Sequence, residues 1–261
     1  MADSIPKIIH YCWLSGDPFP SKIRKCIDSW KKYLPDYEIR LWDTQSFDLE
    51  SSPWVKEAFQ QKKYAFAADY IRLYALYNEG GIYLDSDVEV VKSFDDLLKL
   101  PYFACTEGEN IIEAGAFGAV KGQSWIKNCL DYYEGRHFIK QDNILDTWPL
   151  PQIMMKEIKK QYTPEVLERQ LYFEKISNYQ KEKRFYMLPK VYFCAKDMGT
   201  GVITKTNETY CIHHFEMSWI PKSQTFLPNL KRLLIRIFGV GAVGGIVKVF
   251  ALKNIKDKLA K

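Results

Sequence analysis

This 261-residue chain has no Cys-x-x-Cys pair and no cysteine at zinc spacing from a histidine; Cys12, Cys26, Cys105, Cys129, Cys194 and Cys211 are scattered. That excludes a zinc-ribbon or thioredoxin-like site and predicts free, buried thiols in a reducing compartment. Histidine is scarce, with four in all. The uncharged run 237–247 has 11 residues, four of them glycine, and falls short of the ~20 apolar residues that span a bilayer. Residues 1–7 lack a basic stretch followed by an apolar one, so no secretory signal is read there and a cytoplasmic location is expected. Asn207-Glu208-Thr209 matches a glycosylation sequon but without an export signal reads as a turn. No internal repeat is present, and no low-complexity linker precedes Ser223.

The chain is instead rich in core-forming residues: 47% are hydrophobic and 15% aromatic, enough for one domain burying about three-quarters of its unfolded surface. The net charge of +5 is unevenly spread. Residues 226–261 carry eight Lys or Arg against the single acid Asp257, which leaves the first 225 residues at −2. A catalytic domain over 1–225 and a basic amphipathic helical tail over 226–261 are therefore predicted. In the tail Lys231, Arg232 and Arg236 sit among Leu233, Leu234, Ile235, Ile237 and Phe238, the pattern of a segment lying on an anionic membrane surface. The basic residues are not interleaved with stacking aromatics, so a nucleic-acid partner is not expected.

Helix and strand alternate along the chain. Residues 5–13 read as a buried strand, 20–34 as a helix, 37–42 as a strand, 52–62 and 63–79 as helices, and 82–84 as a strand after the Gly80-Gly81 stop. Further strands are predicted at 101–105, 116–120, 187–193 and 209–215, with helices at 125–133 and 153–160. This order predicts an α/β fold, a single Rossmann-like domain with a mainly parallel central sheet flanked by helices.

The stretch Gly80-Gly81-Ile82-Tyr83-Leu84-Asp85-Ser86-Asp87-Val88 places two carboxylates just past the carboxyl end of a buried strand, the edge where open α/β sheets bind ligands. Paired carboxylates that leave coordination positions open suit a hard divalent cation on a diphosphate. On the preceding helix Asp69 and Arg72 share a face; either they form a simple ion pair, or Arg72 meets phosphate while Asp69 accepts hydrogen bonds from a polyhydroxylated ligand. His213 and His214 are adjacent near the end of a late strand, so their side chains should point to opposite faces and at most one can easily reach a given metal.

Taken together, Ile5-Pro6-Lys7-Ile8-Ile9-His10 with Trp13, Ala68-Asp69-Tyr70-Ile71-Arg72-Leu73-Tyr74, Gly80 through Val88, and His213-His214 with Ser218-Trp219 resemble glycosyltransferase family 32, which includes enzymes of capsular and surface polysaccharide synthesis. The resemblance implies a GT-A fold, a nucleotide-sugar donor with uracil a common base, Mn²⁺ or Mg²⁺, and retention at the anomeric carbon. It further implies catalytic roles for Asp69, Arg72, Asp85 and Asp87, and a donor site of Trp13, Asp69, Arg72, Tyr83, Asp85, Ser218 and Trp219. The metal would be held by Asp87, His214 and Asp85. The implied acceptor is a saccharide, polyprenyl-linked if the tail lies on the inner leaflet. The chain departs from the family's common pattern at Ile111-Ile112-Glu113-Ala114-Gly115 and at Trp148-Pro149-Leu150-Pro151, so no acceptor residue is assigned.

Two rivals carry less. Haloacid-dehalogenase-like phosphohydrolases also use D-x-D, but they want Thr or Val where Glu89 stands, and near the N-terminus. A non-catalytic nucleotide-sugar-binding module would be expected to have lost a carboxylate or the late histidine, and both remain.

Overall fold

The computed structural model describes residues 4–109 and 111–216. Residues up to Ala195, with Thr204–Glu216, form one compact unit; Lys196–Ile203 belong to a second, in which Asp197 Oδ1 accepts from the Thr200 amide at 2.7 Å and hydroxyl at 2.8 Å. Ser218 and Trp219, the tail and the predicted boundary at 225 lie outside the described residues. No helix among the described residues is long and apolar enough to cross a membrane, and all six cysteines are free and buried.

The strands are β1 (Ile8–Cys12), β2 (Glu38–Trp42), β3 (Gly81–Leu84), β4 (Val88–Val90), β5 (Tyr102–Phe103), β6 (Thr106–Gly108), β7 (Ile111–Ile112), β8 (Ala116–Ala119), β9 (Thr163–Val166), β10 (Arg184–Met187) and β11 (Cys211–His213). The helices are α1 (Ser21–Tyr33), α2 (Pro53–Gln60), α3 (Tyr64–Glu79), α4 (Ser124–Asp131), α5 (Leu150–Lys159), α6 (Arg169–Lys175) and α7 (Tyr179–Glu182). The central sheet has the order β2-β1-β3-β8-β5. β1 pairs in parallel with β2 and β3, and β8 alone runs against its neighbours β3 and β5, so the sheet is mainly parallel with one reversed strand.

Local sequence accounts for the elements that carry the site. α1 is amphipathic and buries Ile23, Cys26, Ile27 and Trp30; the Trp30 indole donates to the Val88 carbonyl at 2.7 Å, and Ser29 Oγ accepts from the Val90 amide at 2.9 Å. These two bonds tie the helix to the strand that follows the paired carboxylates. α2 starts with Ser52 accepting from the Val55 amide at 3.4 Å, followed by Pro53 in the first turn, a proline–cap combination suited to helix starts. Lys62, at φ 55°, separates it from α3.

α3 stops at Gly80 (φ 73°) and Gly81 (φ 109°), in the region that favours glycine. A Cβ at Gly81 would also meet the Ile8 carbonyl at 2.8 Å and His10 Nε2 at 3.0 Å. The His10 ring lies under this turn: Nδ1 accepts from the Trp42 indole at 3.0 Å, so Nε2 carries the proton it donates to the Gly80 carbonyl at 2.9 Å. With both ring nitrogens committed to a neutral tautomer and no exposed surface, burial lowers the His10 pKa to about 4.

The late strands differ from expectation. The segment predicted as a strand at 187–193 is not one: β10 ends at Met187, and Pro189 diverts the chain into a 3-10 turn at Lys190–Tyr192. The strand predicted at 209–215 is limited to β11, because Phe215 takes a φ of 52°. β11 pairs antiparallel with β4, with His213 opposite Val88, so the late histidines sit beside the acidic turn.

Candidate active site

Asp85 and Asp87 lie in the turn between β3 and β4. Its backbone is fixed by the Asp85 amide on the Gly115 carbonyl (2.7 Å), the Val88 amide on the Asp85 carbonyl (2.9 Å) and the His214 amide on the Asp87 carbonyl (3.1 Å). Two other segments, at Gly115 and at His214, therefore converge on the turn 85–88. Asp85 is gripped from behind: Arg72 reaches it through both terminal nitrogens at 3.2 and 3.3 Å, and the Tyr83 hydroxyl donates to it at 2.9 Å.

Arg72 is itself buried. It pairs with Asp69 at 3.0 Å, donates to the Ala114 carbonyl at 2.7 Å and lies over the Tyr83 ring, 4.6 Å from its centroid. As placed, the guanidinium braces two carboxylates and adds positive charge beneath the turn. Asp69 is barely exposed, and burial outweighs the attraction of Arg72, raising its pKa to about 7. The Tyr83 side chain, predicted on the donor, is buried beneath Arg72 and reaches the site through its bond to Asp85.

Where the sequence reading had named His214, the imidazole that the structure brings beside the two aspartates is His213. Its Nε2 lies 3.4 Å from Asp87 Oδ1 and 3.9 Å from Asp85 Oδ2, whereas His214 Nε2 pairs with Glu89 at 2.9 Å. Alternation along β11 had separated the two rings correctly; the pairing of His213 with Val88 decides which one faces the carboxylates. Ligand atoms of Asp85, Asp87 and His213 all lie within 4.8 Å of one another, the only such trio among the described residues. Two hard carboxylates and an imidazole, with no thiolate, fit Mn²⁺ or Mg²⁺.

The electrostatics suit a cation. Burial would raise the Asp87 pKa, but His213 and the Glu216 amide, which donates to Asp87 Oδ2 at 2.8 Å, hold it well below the usual carboxylate range. His213 lies between Asp87 and Glu113, and these carboxylates raise its pKa well above the ordinary imidazole value despite burial. Glu113, 1% exposed, was not foreseen in any role; its Oε1 accepts from the Gly115 amide at 2.6 Å and pairs with His213 Nδ1 at 2.9 Å. The signal was present as a lone acid inside the apolar run Ile111-Ile112-Glu113-Ala114-Gly115, a place where carboxylates are rare unless paired.

Trp13 lies past the end of β1, its indole donating to the Asp17 carbonyl at 2.7 Å and its ring edge-on to Phe19 at 5.0 Å. It lines a cavity of about 360 Å³ with residues from the loop after β2, including Asp43 and Thr44.

With this geometry in view, the chain can be set beside the known proteins it resembles. Residues 20–104 match the glycosyltransferase sugar-binding region containing the DXD motif. Asp69, Arg72, Tyr83, Asp85 and Asp87 fall inside the matched stretch; Trp13, Glu113 and His213 fall outside it. Among curated proteins, the chain is 31% identical over 159 residues to inositol phosphoceramide mannosyltransferase 3 of Schizosaccharomyces pombe, covering 56% of this chain and 43% of that protein. It is 30% identical over 169 residues to mannosyl phosphorylinositol ceramide synthase SUR1 of Saccharomyces cerevisiae, covering 60% and 42%. The chain thus spans less than half the length of these relatives. Among solved structures it is similar to the PaToxG glycosyltransferase, with a TM-score of 0.47 and 22% identity over 60% of this chain and 69% of that one.

Proposed function

We propose that this protein is a metal-dependent retaining glycosyltransferase that moves a hexose or N-acetylhexosamine from a nucleotide-diphosphate sugar to a hydroxyl of a saccharide or lipid-borne acceptor. The observation that carries the reading is the convergence of Asp85, Asp87 and His213 at the carboxyl end of β3, in a chain whose DXD region matches glycosyltransferases. These three residues would hold the cation, which would supply Lewis-acid neutralisation of the diphosphate charge.

The chain's own residues do the remaining work. Arg72, fixed by Asp69, Asp85 and the Ala114 carbonyl, adds a permanent positive charge behind the turn, and preorganised charge of this kind is usually the largest catalytic contribution. Asp69, with its pKa near 7, is suited to hydrogen-bond a sugar hydroxyl. Trp13 offers its ring to the base at the cavity beside it, and the family resemblance assigns Ser218 and Trp219 to the donor. For retention, the acceptor hydroxyl attacks from the side the leaving group departs, and the leaving phosphate takes the proton.

The names of the relatives make mannose the first hexose to test, and an inositol-bearing phospholipid headgroup an acceptor to set beside polyprenyl-linked saccharides of surface or capsular polysaccharide synthesis. UDP is the nucleotide first expected. The basic tail supports a cytoplasmic protein bound peripherally to the membrane.

The deciding assay is release of nucleoside diphosphate from a panel of UDP- and GDP-sugars with and without Mn²⁺. Metal-dependent release from one donor is expected; no metal-dependent hydrolysis or binding across the panel would favour a non-catalytic module. For the tail, the full chain should sediment with anionic liposomes at low salt and a chain ending at Thr225 should not; equal behaviour would refute membrane binding through the tail.

A further inference from the structure

We propose that Glu113 is a positioning residue of the metal site: it fixes the ring and tautomer of His213 so that Nε2 is presented to Asp85 and Asp87. The inference rests on the metal reading above and concerns a residue outside the matched DXD region.

This carboxylate is held by several groups at once, the Cys194 thiol among them. Glu113 sits in the link between β7 and β8, buried among Ile112 and Ala114. A carboxylate taken out of water is costly unless paired and hydrogen-bonded. Its Oε1 is doubly engaged, by the Gly115 amide at 2.6 Å and by His213 Nδ1 at 2.9 Å. The two ring nitrogens thus face opposite ways, Nδ1 to Glu113 and Nε2 to the aspartates at 3.4 and 3.9 Å. A carboxylate accepts only, so Nδ1 keeps its proton, and it is the Nε2 proton, held towards the aspartates, that a bound cation would displace to take the ring's lone pair. This is how a carboxylate behind a ligating histidine acts: it sets the tautomer, fixes the ring plane and raises the basicity of the other nitrogen.

Two further contacts hold the ring in that plane. Phe215 stacks on His213 with centroids 4.1 Å apart and 27° between planes, an arrangement reached through its left-handed φ of 52°. Gly115 leaves the necessary space: a Cβ there would lie 2.7 Å from both Glu113 Oε1 and His213 Cε1. The segment 113–115 therefore supplies the acid, the amide that orients it and the gap that admits the ring, while its Gly115 carbonyl also holds the Asp85 amide at 2.7 Å.

The test is calorimetric titration of Mn²⁺ into the full-length protein, comparing wild type with Glu113→Gln, Asp87→Ala and His213→Ala. Glutamine keeps an oxygen for the Gly115 amide but loses the charge. Glu113→Gln is expected to weaken Mn²⁺ binding about 10–100-fold, to keep its melting temperature within a few degrees, and to recover donor turnover as Mn²⁺ is raised in proportion. A carboxylate that serves only the fold would lower the melting temperature and leave metal affinity unchanged. Should Glu113→Gln not fold, Glu113→Asp, charged but one methylene shorter, is read by the same titration and should also bind Mn²⁺ more weakly. Wild-type affinity in the folded variant overturns this inference alone; absence of Mn²⁺ binding by the wild-type protein overturns the metal reading and this inference with it.

Discussion

Replacing Gly115 by alanine perturbs the site with a single methyl group. The new Cβ would stand 2.7 Å from Glu113 Oε1, 2.7 Å from His213 Cε1 and 2.8 Å from His213 Nδ1. Restoring an ordinary contact of 3.4 Å requires a combined movement of roughly 0.7 Å, and the neighbours cannot yield freely: Glu113 is buried and doubly bonded, and His213 is stacked on Phe215. Overpacking of this kind costs about 1–3 kcal/mol of stability, and a displacement near 1 Å at a catalytic group can cost about 100-fold in rate. Gly115→Ala is therefore expected to fold with a lowered denaturation midpoint, to bind Mn²⁺ more weakly, and to lose turnover by one to two orders of magnitude. Denaturant titration, metal titration and nucleoside-diphosphate release read the three effects separately. A variant with wild-type metal affinity and rate would show that the close packing of Gly115, Glu113 and His213 does not shape the site.

Other outcomes follow from the same geometry. Asp87→Ala and His213→Ala should each lower turnover at least about 100-fold, the scale of one lost electrostatic contact, while His214→Ala, which keeps the amide bonded to the Asp87 carbonyl, should stay within a few-fold; the reverse order in a steady-state assay would return the role to His214. Trp13→Ala should raise the donor KM about tenfold with kcat little changed, since base stacking is worth about 1–3 kcal/mol; an unchanged KM would remove Trp13 from the base site. Buried neutral His10, with its pKa lowered to about 4, resists protonation when folded but titrates near 6.5 when unfolded. Stability is accordingly lost as pH falls from about 6.5 to 4, by roughly 3 kcal/mol at about 1.4 kcal/mol per unit. Denaturation at pH 7 and pH 5 should show a steeper loss for wild type than for His10→Gln; equal losses would mean that His10 is not held neutral.

What the sequence made legible was what is local. The strand, glycine stop and paired carboxylates of residues 80–88, and the shared face of Asp69 and Arg72 on α3, depend on spacing within a few residues, and the structure brings these side chains together. The choice between His213 and His214 is not local: it depends on the register of β11 against β4. Glu113 and His213 are 100 residues apart and meet only because the link after β7 and the end of β11 reach the same turn. The 187–193 segment misled because its apolar residues suit a strand, while Pro189 and the turn at Lys190–Tyr192 bend the backbone away after Met187.

The central claim, that one cation is held between the acidic turn and the late imidazole, is tested most directly by anomalous diffraction at the manganese edge from crystals soaked with Mn²⁺ and a nucleotide sugar. The account predicts one strong peak within coordinating distance of Asp87 and His213 Nε2, with Asp85 beside it and the diphosphate on its open side. A peak elsewhere, or donor bound with these three side chains turned apart, would contradict it.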